Sequence, residues 1–296
     1  MGMTAATEGK IAVSGGQVWY RVVGREKAGV PVLMVHGGPG APHDYLEPLA
    51  ALADERPVIF YDQLGCGNSD RPDAPALWKT ARFVEELSAV RAALGLEEVH
   101  ILGQSWGTML AVEYLLAKKP RGVRSLVLTA PFLSAPLWIA DQRAYLAAMP
   151  AEVRQAVAEA EAKGDYESPA YQEAVMAFYR KHLCLLEPWP EPMQRTFEKM
   201  GMQVYLSMFG PSEFTATGSL KDTDLVGRLG EITVPVLFTC GSQDEATPAT
   251  TRLFQQALPG SELVVFDDTS HQHHLEKPDE YLAAVRGFLA RAEGRG

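Results

Sequence analysis

The sequence predicts an α/β fold, in which helices cover both faces of a mostly parallel central sheet that carries an inserted helical cap. Short apolar runs alternate with helical patterns through residues 1–134 and again through residues 215–296. Between them, residues 135–214 show helical patterns only. Alternating strands and helices imply right-handed crossovers and a parallel sheet. We therefore predict a core of residues 1–134 and 215–296 and a cap of residues 135–214.

The first predicted elements are a hairpin and two buried strands. The stretch "GKIAVSGGQVWYRVVG" reads as two strands with "SGG" at the turn. The continuous apolar runs in "VPVLMVHG" and "RPVIFYDQLGCG" are typical of strands that are buried on both faces.

The next elements repeat the strand–helix alternation. Leu87, Val90 and Leu94 lie at helical spacing and predict a helix over about 81–94. The strand "VHILGQ", a helix over about 105–117 and the strand "VRSLVLTAP" follow. After the cap, we predict the strand "VPVLFTCGSQD", a helix from Pro248, the strand "SELVVFDD" and a final helix over about 279–291.

The composition limits the classes of partner and the cellular compartment. The 296 residues carry a formal net charge of −10, which argues against nucleic acids and membrane surfaces as general partners because both are anionic. The three cysteines are few and widely spaced, so neither a disulfide framework nor a metal pair is expected. The chain begins without an apolar signal segment. We expect a cytoplasmic protein.

The motif "GQSWG" marks the predicted nucleophile. It fits G-x-S-x-G and lies between an apolar strand and a helix, which is the context that this motif requires. The flanking glycines allow a tight turn that would expose Ser105 at the carboxyl end of the strand. The alternative is that this stretch is only a glycine-rich turn, in which the serine has no catalytic role.

A serine hydroxyl needs a base, and the stretch "TSHQHHLEKP" after the last strand supplies candidates. We assign His271 because it comes first in this loop and because the order serine, acid, histidine is that of α/β-hydrolases. Three neighbouring histidines could also bind a metal ion, but they lack the i, i+4 histidine pair with glutamate that is found in zinc hydrolases. We therefore expect no cofactor, and we expect His274 to pack against the cap or the sheet.

The acid that orients the base should follow the preceding strand. Asp244 comes just past the end of "VPVLFTC", where it could fix the histidine tautomer. Asp267 and Asp268 are rivals, since they lie close to His271 in sequence.

The loop "HGGPG" is the predicted second half of an oxyanion hole. Acyl transfer needs two N–H donors aimed at the developing oxyanion. The N–H of Trp106 follows the nucleophile, and the glycine-rich loop after an early strand supplies the other donor. We assign Gly37, with Gly38 as the alternative.

Together, "HGGPG", "DQLGCGNSD", "GQSWGTMLAVEY", "GSQDEATP" and "SHQHHLEKP" closely resemble the proline iminopeptidases, which are serine peptidases of the α/β-hydrolase fold. The chain looks most like the tricorn-interacting branch of broad-specificity aminopeptidases and related amino-acid amidases. Leu64 stands where the commoner family motif has arginine, which argues against strict specificity for proline.

The resemblance implies a substrate with a free α-amino group. The family binds that group through acidic residues, and the matching positions here are Glu213 and Glu245. It implies an exopeptidase that releases an N-terminal residue, proline or another that is often hydrophobic, from short peptides through an acyl-enzyme. The alternatives are an amino-acid amidase or small-molecule esterase with the same triad, and a ligand-sensing protein of this fold that would not need a complete triad.

Overall fold

The computed structural model describes residues 6–294, and within them an eight-stranded sheet forms the centre of the molecule. The strands, numbered in chain order, are β1 Ala6–Val13, β2 Gly16–Val23, β3 Val32–Val35, β4 Val58–Tyr61, β5 Val99–Ser105, β6 Val123–Pro131, β7 Val236–Gly241 and β8 Glu262–Phe266. Every strand expected from the sequence is present.

Ten α-helices follow the chain through the described residues: α1 Thr80–Ala93, α2 Trp106–Lys118, α3 Ala135–Ala147, α4 Ala151–Lys163, α5 Pro169–His182, α6 Glu191–Glu198, α7 Met202–Met208, α8 Pro248–Ala257, α9 His273–Glu276 and α10 Pro278–Ala292. Three 3₁₀ segments lie at His43–Asp54, Pro75–Leu77 and Val226–Glu231. Within the part of the chain that is described, no helix is long and apolar enough to cross a bilayer.

The strand order confirms the predicted mostly parallel sheet. It is β1-β2-β4-β3-β5-β6-β7-β8, with antiparallel pairing only for β1 with β2 and β2 with β4. The strand β5 lies between β3 and β6, so its carboxyl end is near the middle of the sheet. In open α/β sheets this edge is where ligands bind.

Apolar side chains pack on both faces of the sheet. In β3, Leu33 and Val35 join one buried cluster, whereas Val32 and Met34 join another. Because successive side chains of a strand point to opposite faces, this division places a core on each side. It explains why the central strands read as continuous apolar runs rather than alternating ones.

Helices α3 to α7 lie between β6 and β7 in the chain, where the alternation stops. Several of their side chains, with Phe214, form a third apolar cluster that includes Tyr171 and Phe178. Hydrogen bonds attach the segment to the core: the Tyr45 N–H donates to Thr196 Oγ1 at 3.0 Å, and the Gly201 N–H donates to the Gly40 carbonyl at 2.8 Å. The division into a core and a cap at residues 135–214 stays a prediction.

Candidate active site

Ser105 lies at the tip of the turn between β5 and α2. Its φ of 53° falls in the left-handed region, which is uncommon for a residue with a side chain and is found at functional sites. The turn exposes the side chain to a cavity of about 300 Å³. Among the described residues, none forms a hydrogen bond with the Ser105 hydroxyl, which therefore faces the cavity unpaired.

Two glycines make this turn possible by allowing close backbone approach. A Cβ on Gly107 would lie 1.9 Å from the Val35 carbonyl oxygen, and one on Gly103 would lie 2.5 Å from the Gly107 carbonyl oxygen. No larger residue fits at either position without moving the backbone. The glycines of G-x-S-x-G are therefore required by packing of β3 and β5 against the start of α2.

Asp244 and His271 form a buried hydrogen-bonded pair beside Ser105. The His271 Nδ1 lies 2.7 Å from Asp244 Oδ1, and His271 lines the same cavity as Ser105. The carboxylate also accepts hydrogen bonds from the backbone N–H groups of Gly241 and Ala246, at 3.1 and 2.7 Å. Burial alone would raise the pKa of Asp244, but the charge and hydrogen bond of His271 outweigh it and lower the pKa to about 2. An ionised carboxylate can only accept, so Nδ1 of His271 carries the proton.

The two other histidines of the loop have different surroundings. The His273 Nε2 lies 3.0 Å from Thr239 Oγ1, and its Nδ1 lies 3.2 Å from the Ser270 carbonyl. His274 packs edge-on against Tyr45 and lies fully buried, and burial lowers its pKa to about 3. Neither lines the cavity. These positions favour His271 as the base.

The rival acids lie on the surface. Asp267 and Asp268 are exposed at the end of β8, whereas Asp244 is completely buried against His271. Proximity in sequence is thus a poorer guide here than the carboxyl edge of the sheet. Within residues 6–294, no group of three histidine, cysteine, aspartate or glutamate side chains has the arrangement of a metal site.

The glycine loop passes next to the nucleophile, and the N–H of Gly37 forms a hydrogen bond within the protein. A Cβ on Gly37 would lie 3.0 Å from the Ser105 Cβ, so this backbone passes next to the nucleophile. The Gly37 N–H donates to the Tyr45 hydroxyl at 2.8 Å, and that hydroxyl donates to Gln104 Oε1 at 2.7 Å. Gly38 lines the cavity. The Gly38 N–H has no hydrogen-bond partner among the described residues, so Gly38 is the freer of the two glycine donors considered.

Gln63 joins the two loops that carry the oxyanion candidates. Its backbone N–H donates to His36 Nε2 at 2.8 Å, and its Nε2 donates to the His36 carbonyl at 2.8 Å. Its Oε1 accepts from the indole N–H of Trp106 at 2.9 Å. Gln63 is buried, so one side chain couples "HGGPG" to "GQSWG". Trp106 is the first residue of α2, where the backbone N–H has no partner within the helix.

Two glutamates line the cavity with Ser105. Glu213 accepts a hydrogen bond from the Tyr205 hydroxyl at 2.6 Å. Glu245 is buried, and its Oε1 has no hydrogen-bond partner among the described residues. Burial raises the pKa of Glu213 to about 6. Burial and the charges of Glu213 and Asp244 raise the pKa of Glu245 well above its usual value. The cavity therefore contains two carboxyl groups, and among the described residues that line it no lysine or arginine pairs with them.

Sequence reasoning missed the residues that hold these groups in place. Tyr205 binds Glu213, Tyr45 binds the glycine loop, and the Gln142 Nε2 donates to the Glu245 carbonyl at 2.8 Å. Gln63 belongs to the quoted motif "DQLGCG", which was the available signal for it. Tyr205 and Tyr45 lie eight residues from their partners and Gln142 lies 103 residues from its partner, and none of the three belongs to a recognised motif.

Comparisons with known proteins agree with this geometry. The family model described as alpha/beta hydrolase fold matches residues 30–278. A proline iminopeptidase of Heyndrickxia coagulans is 46% identical over 284 residues, which cover 96% of this chain and 98% of that protein. One from Lactobacillus crispatus strain ST1 is 38% identical, with 95% of this chain and 97% of that protein covered.

A solved structure shows the same similarity in three dimensions. The crystal structure of proline iminopeptidase from Mycobacterium smegmatis superposes with a TM-score of 0.89 at 40% identity. The match covers 97% of this chain and 98% of that one.

Proposed function

The chain belongs to the proline iminopeptidases of the α/β-hydrolase fold, and from this we propose that it is a serine exopeptidase that releases an N-terminal residue from short peptides. The released residue is proline or another, often hydrophobic, residue. The single observation that carries the proposal is the presence of two carboxyl groups, Glu213 and Glu245, in the cavity that Ser105 and His271 line. A plain esterase has no use for such a pair.

The proposed reaction begins with attack of Ser105 Oγ on the carbonyl carbon of the first residue, while His271 Nε2 accepts the hydroxyl proton. Asp244 holds the imidazole through Nδ1–H and stabilises the imidazolium. The backbone N–H of Trp106 and an N–H of the Gly37–Gly38 turn donate to the oxyanion. These two donors act where negative charge develops in the transition state.

Collapse of the tetrahedral intermediate breaks the peptide C–N bond. His271 gives its proton to the departing amine, and the first residue stays bound to Ser105 as an ester. Water then attacks that ester, His271 accepts a proton from it, and Ser105 leaves with the proton returned. The same group thus serves as base and acid in both halves of the reaction.

We propose that the substrate α-ammonium binds between Glu213 and Glu245. The unpaired Oε1 of Glu245 supports this role, because a buried polar atom without a partner is costly and an ammonium hydrogen would satisfy it. Tyr205 keeps Glu213 oriented. An N-blocked substrate offers no cation to this pair.

We propose further that residues 135–214 act as a cap that limits substrate size. Helices α5 and α6 of this segment contribute Val175, Tyr179, Met193 and Phe197 to the cavity wall, which supports such a role. Hydrogen exchange measured with and without a slowly hydrolysed substrate would test it. Protection of the segment on binding is expected, and unchanged exchange there would contradict the cap.

A cytoplasmic location is proposed as well. The cysteines Cys66, Cys184 and Cys240 are all free and buried, as expected of a chain that folds in a reducing compartment. Cell fractionation of the native host would test this, and recovery of the enzyme outside the cytoplasm would contradict it. Whether the chain belongs to the tricorn-interacting branch stays a prediction.

A substrate panel tests the proposed activity. The parent protein and the Ser105→Ala variant should each be assayed for hydrolysis of free aminoacyl-naphthylamides, amino-acid amides and p-nitrophenyl esters. We expect prolyl and other hydrophobic aminoacyl-naphthylamides to be hydrolysed and Ser105→Ala to lose kcat on the order of a million-fold. A preference for esters without an amino group would instead favour the esterase alternative.

A further inference from the structure

The cavity beyond the reaction centre has an apolar and adaptable wall. Met193 and Phe197 of α6 line it, together with Met200, Met202 and, from α5, Met176. Methionine side chains are flexible and polarisable, so such a wall adjusts to apolar groups of different shape. Phe197 and Met202 are 40% and 49% exposed, which places apolar surface at the open side of the cavity.

The charged groups that line the cavity include two carboxylates but no lysine or arginine among the described residues. Among the described residues that line it, no lysine or arginine occurs, and apart from tyrosines the titratable side chains are Glu213, Glu245 and His271. The two glutamates are committed to the α-ammonium in the proposed function, and His271 to proton transfer. Nothing that lines the cavity remains to pair with a second, negative group of the substrate.

The position of a dipeptide's carboxylate follows from covalent geometry. The carboxylate carbon is two bonds from the scissile nitrogen, so it must enter the cavity whenever the scissile bond reaches Ser105. A carboxylate in apolar surroundings without a counter-charge is strongly disfavoured. Each additional residue moves the terminal carboxylate away by up to about 3.3–3.6 Å. Amidation removes the charge altogether.

Neutral peptide groups, in contrast, find matching partners. The Nε2 of Gln104 and the Oε1 of Gln272 are buried at the cavity and have no hydrogen-bond partner among the described residues. The Gln104 orientation is fixed by a chain of donors, because Gly37 N–H donates to the Tyr45 hydroxyl and that hydroxyl donates to Gln104 Oε1. The two glutamine amides thus offer a donor and an acceptor, as the C=O and N–H of a peptide group require.

We propose that this wall is a leaving-group site for an uncharged, apolar amide, so that the enzyme favours tripeptides, longer peptides and dipeptide amides over dipeptides with a free carboxylate. The inference rests on the proposed function and specifies its substrate class. The methionines and Phe197 contact the side chain of the second residue, and the lack of a cation disfavours its carboxylate.

The test compares three substrates that share the same scissile bond: Pro-Phe, Pro-Phe-NH₂ and Pro-Phe-Gly. Proline release should be followed chromatographically to obtain kcat/KM for each. We expect Pro-Phe to be at least ten-fold poorer than the other two, with most of the difference in KM. Equal values, or a preference for Pro-Phe, would overturn the leaving-group inference and leave the peptidase assignment standing. If none of the three substrates is hydrolysed, the peptidase assignment itself is refuted, and the leaving-group inference with it.

A matched pair of variants separates charge from shape. Met202→Lys places a cation at the exposed side of the cavity, and Met202→Gln introduces a neutral polar chain at the same position. We expect Met202→Lys to raise kcat/KM for Pro-Phe relative to Pro-Phe-NH₂ by at least three-fold, and Met202→Gln to leave that ratio near its parent value. Equal ratios in both variants would contradict the role assigned to charge.

Discussion

At the scale of single residues, partner side chains hold His271, Glu213 and the Gly37 backbone in place. Asp244 holds His271, and Tyr205 holds Glu213. The Tyr45 hydroxyl, itself bonded to the Gln104 amide, holds the Gly37 backbone. The triad candidates could be predicted from motif and chain order. Their supporting partners could not, because hydrogen bonds between residues eight or more positions apart leave no motif or periodic signal in the sequence.

The histidine assignment makes a direct prediction. His271→Ala should lower kcat on the order of a million-fold without loss of fold, since its ring ends at the cavity. His273→Gln is the control: its ring contacts Thr239 and Ser270, lies 3.6 Å from Asp244 Oδ2 and does not line the cavity. We expect this control to lower the melting temperature and to keep kcat within about ten-fold. The reverse ranking of kcat would move the base to His273.

The carboxyl pair makes a prediction about pH. Burial raises the pKa of Glu213 to about 6, so the carboxylate that binds an ammonium is lost as the pH falls through that value. The ratio of kcat/KM for a prolyl arylamide to kcat/KM for an uncharged ester should therefore fall below pH 6. The ester carries no ammonium, so the ratio isolates the part of kcat/KM that depends on binding the amine. A ratio independent of pH between 5 and 8 would contradict the role of Glu213.

At the scale of elements, the carboxyl ends of β3, β4 and β5 bring three motifs together. The sequence patterns of "HGGPG", "DQLGCG" and "GQSWG" predict three strand ends, and parallel pairing puts those ends at one edge. What the patterns do not predict is the hydrogen bonding between them. Gln63 provides it, through His36 and Trp106.

Removal of the Gln63 hydrogen bonds should displace the oxyanion donors while the protein stays folded. We expect Gln63→Leu to reduce kcat by about ten- to a hundred-fold, because a small displacement of donors weakens their effect on the transition state. Trp106→Phe removes the opposite end of one hydrogen bond. Since both changes break the same contact, their effects on kcat should be less than additive in the double variant. Fully additive effects would show that Gln63 does not act through Trp106.

The positioning role also predicts which ligands respond. A boronic-acid analogue of proline mimics the tetrahedral intermediate, whereas free proline does not. Gln63→Leu should weaken binding of the boronic acid more than binding of proline. Equal weakening of both would indicate general damage to the site.

At the scale of the whole molecule, the predicted α/β architecture holds over the entire described chain. Hydrophobic periodicity predicted the strands and helices because both faces of the sheet are buried and the helices pack on them. The inserted segment was predicted as helical because helical patterns replace the strand–helix alternation there. How they attach to the core, through the 3₁₀ segment His43–Asp54 and α6, depends on contacts such as Arg195 with Asp44 at 3.1 Å.

One buried pair near that attachment links stability to pH. The His43 Nδ1 lies 2.7 Å from Asp62 Oδ1. Burial alone would lower the pKa of His43, but hydrogen bonds to Asp62 and Glu47 outweigh it and raise the pKa to about 9. The folded state therefore holds this proton more tightly than the unfolded state. Its contribution to stability is complete below pH 6.5 and is lost as the pH rises through 9.

We expect this pair to account for about 3 kcal/mol of the fall in unfolding free energy between pH 6.5 and pH 9. Denaturant unfolding at a series of pH values measures that fall. His43→Gln should be less stable at pH 6.5 and should show a flatter dependence over the same range. A dependence as steep as that of the parent would assign the effect to other groups.

The most direct test of the central claim is whether hydrolysis requires a free α-amino group. The measurement is kcat/KM for prolyl-naphthylamide and for its N-acetylated form with the parent protein, with Glu245→Gln assayed alongside. We expect acetylation to lower kcat/KM by at least about a hundred-fold, and Glu245→Gln to lower it similarly for the free substrate only, because either change leaves one partner of a buried charge pair alone. Equal kcat/KM for the free and acetylated substrates would contradict the exopeptidase account.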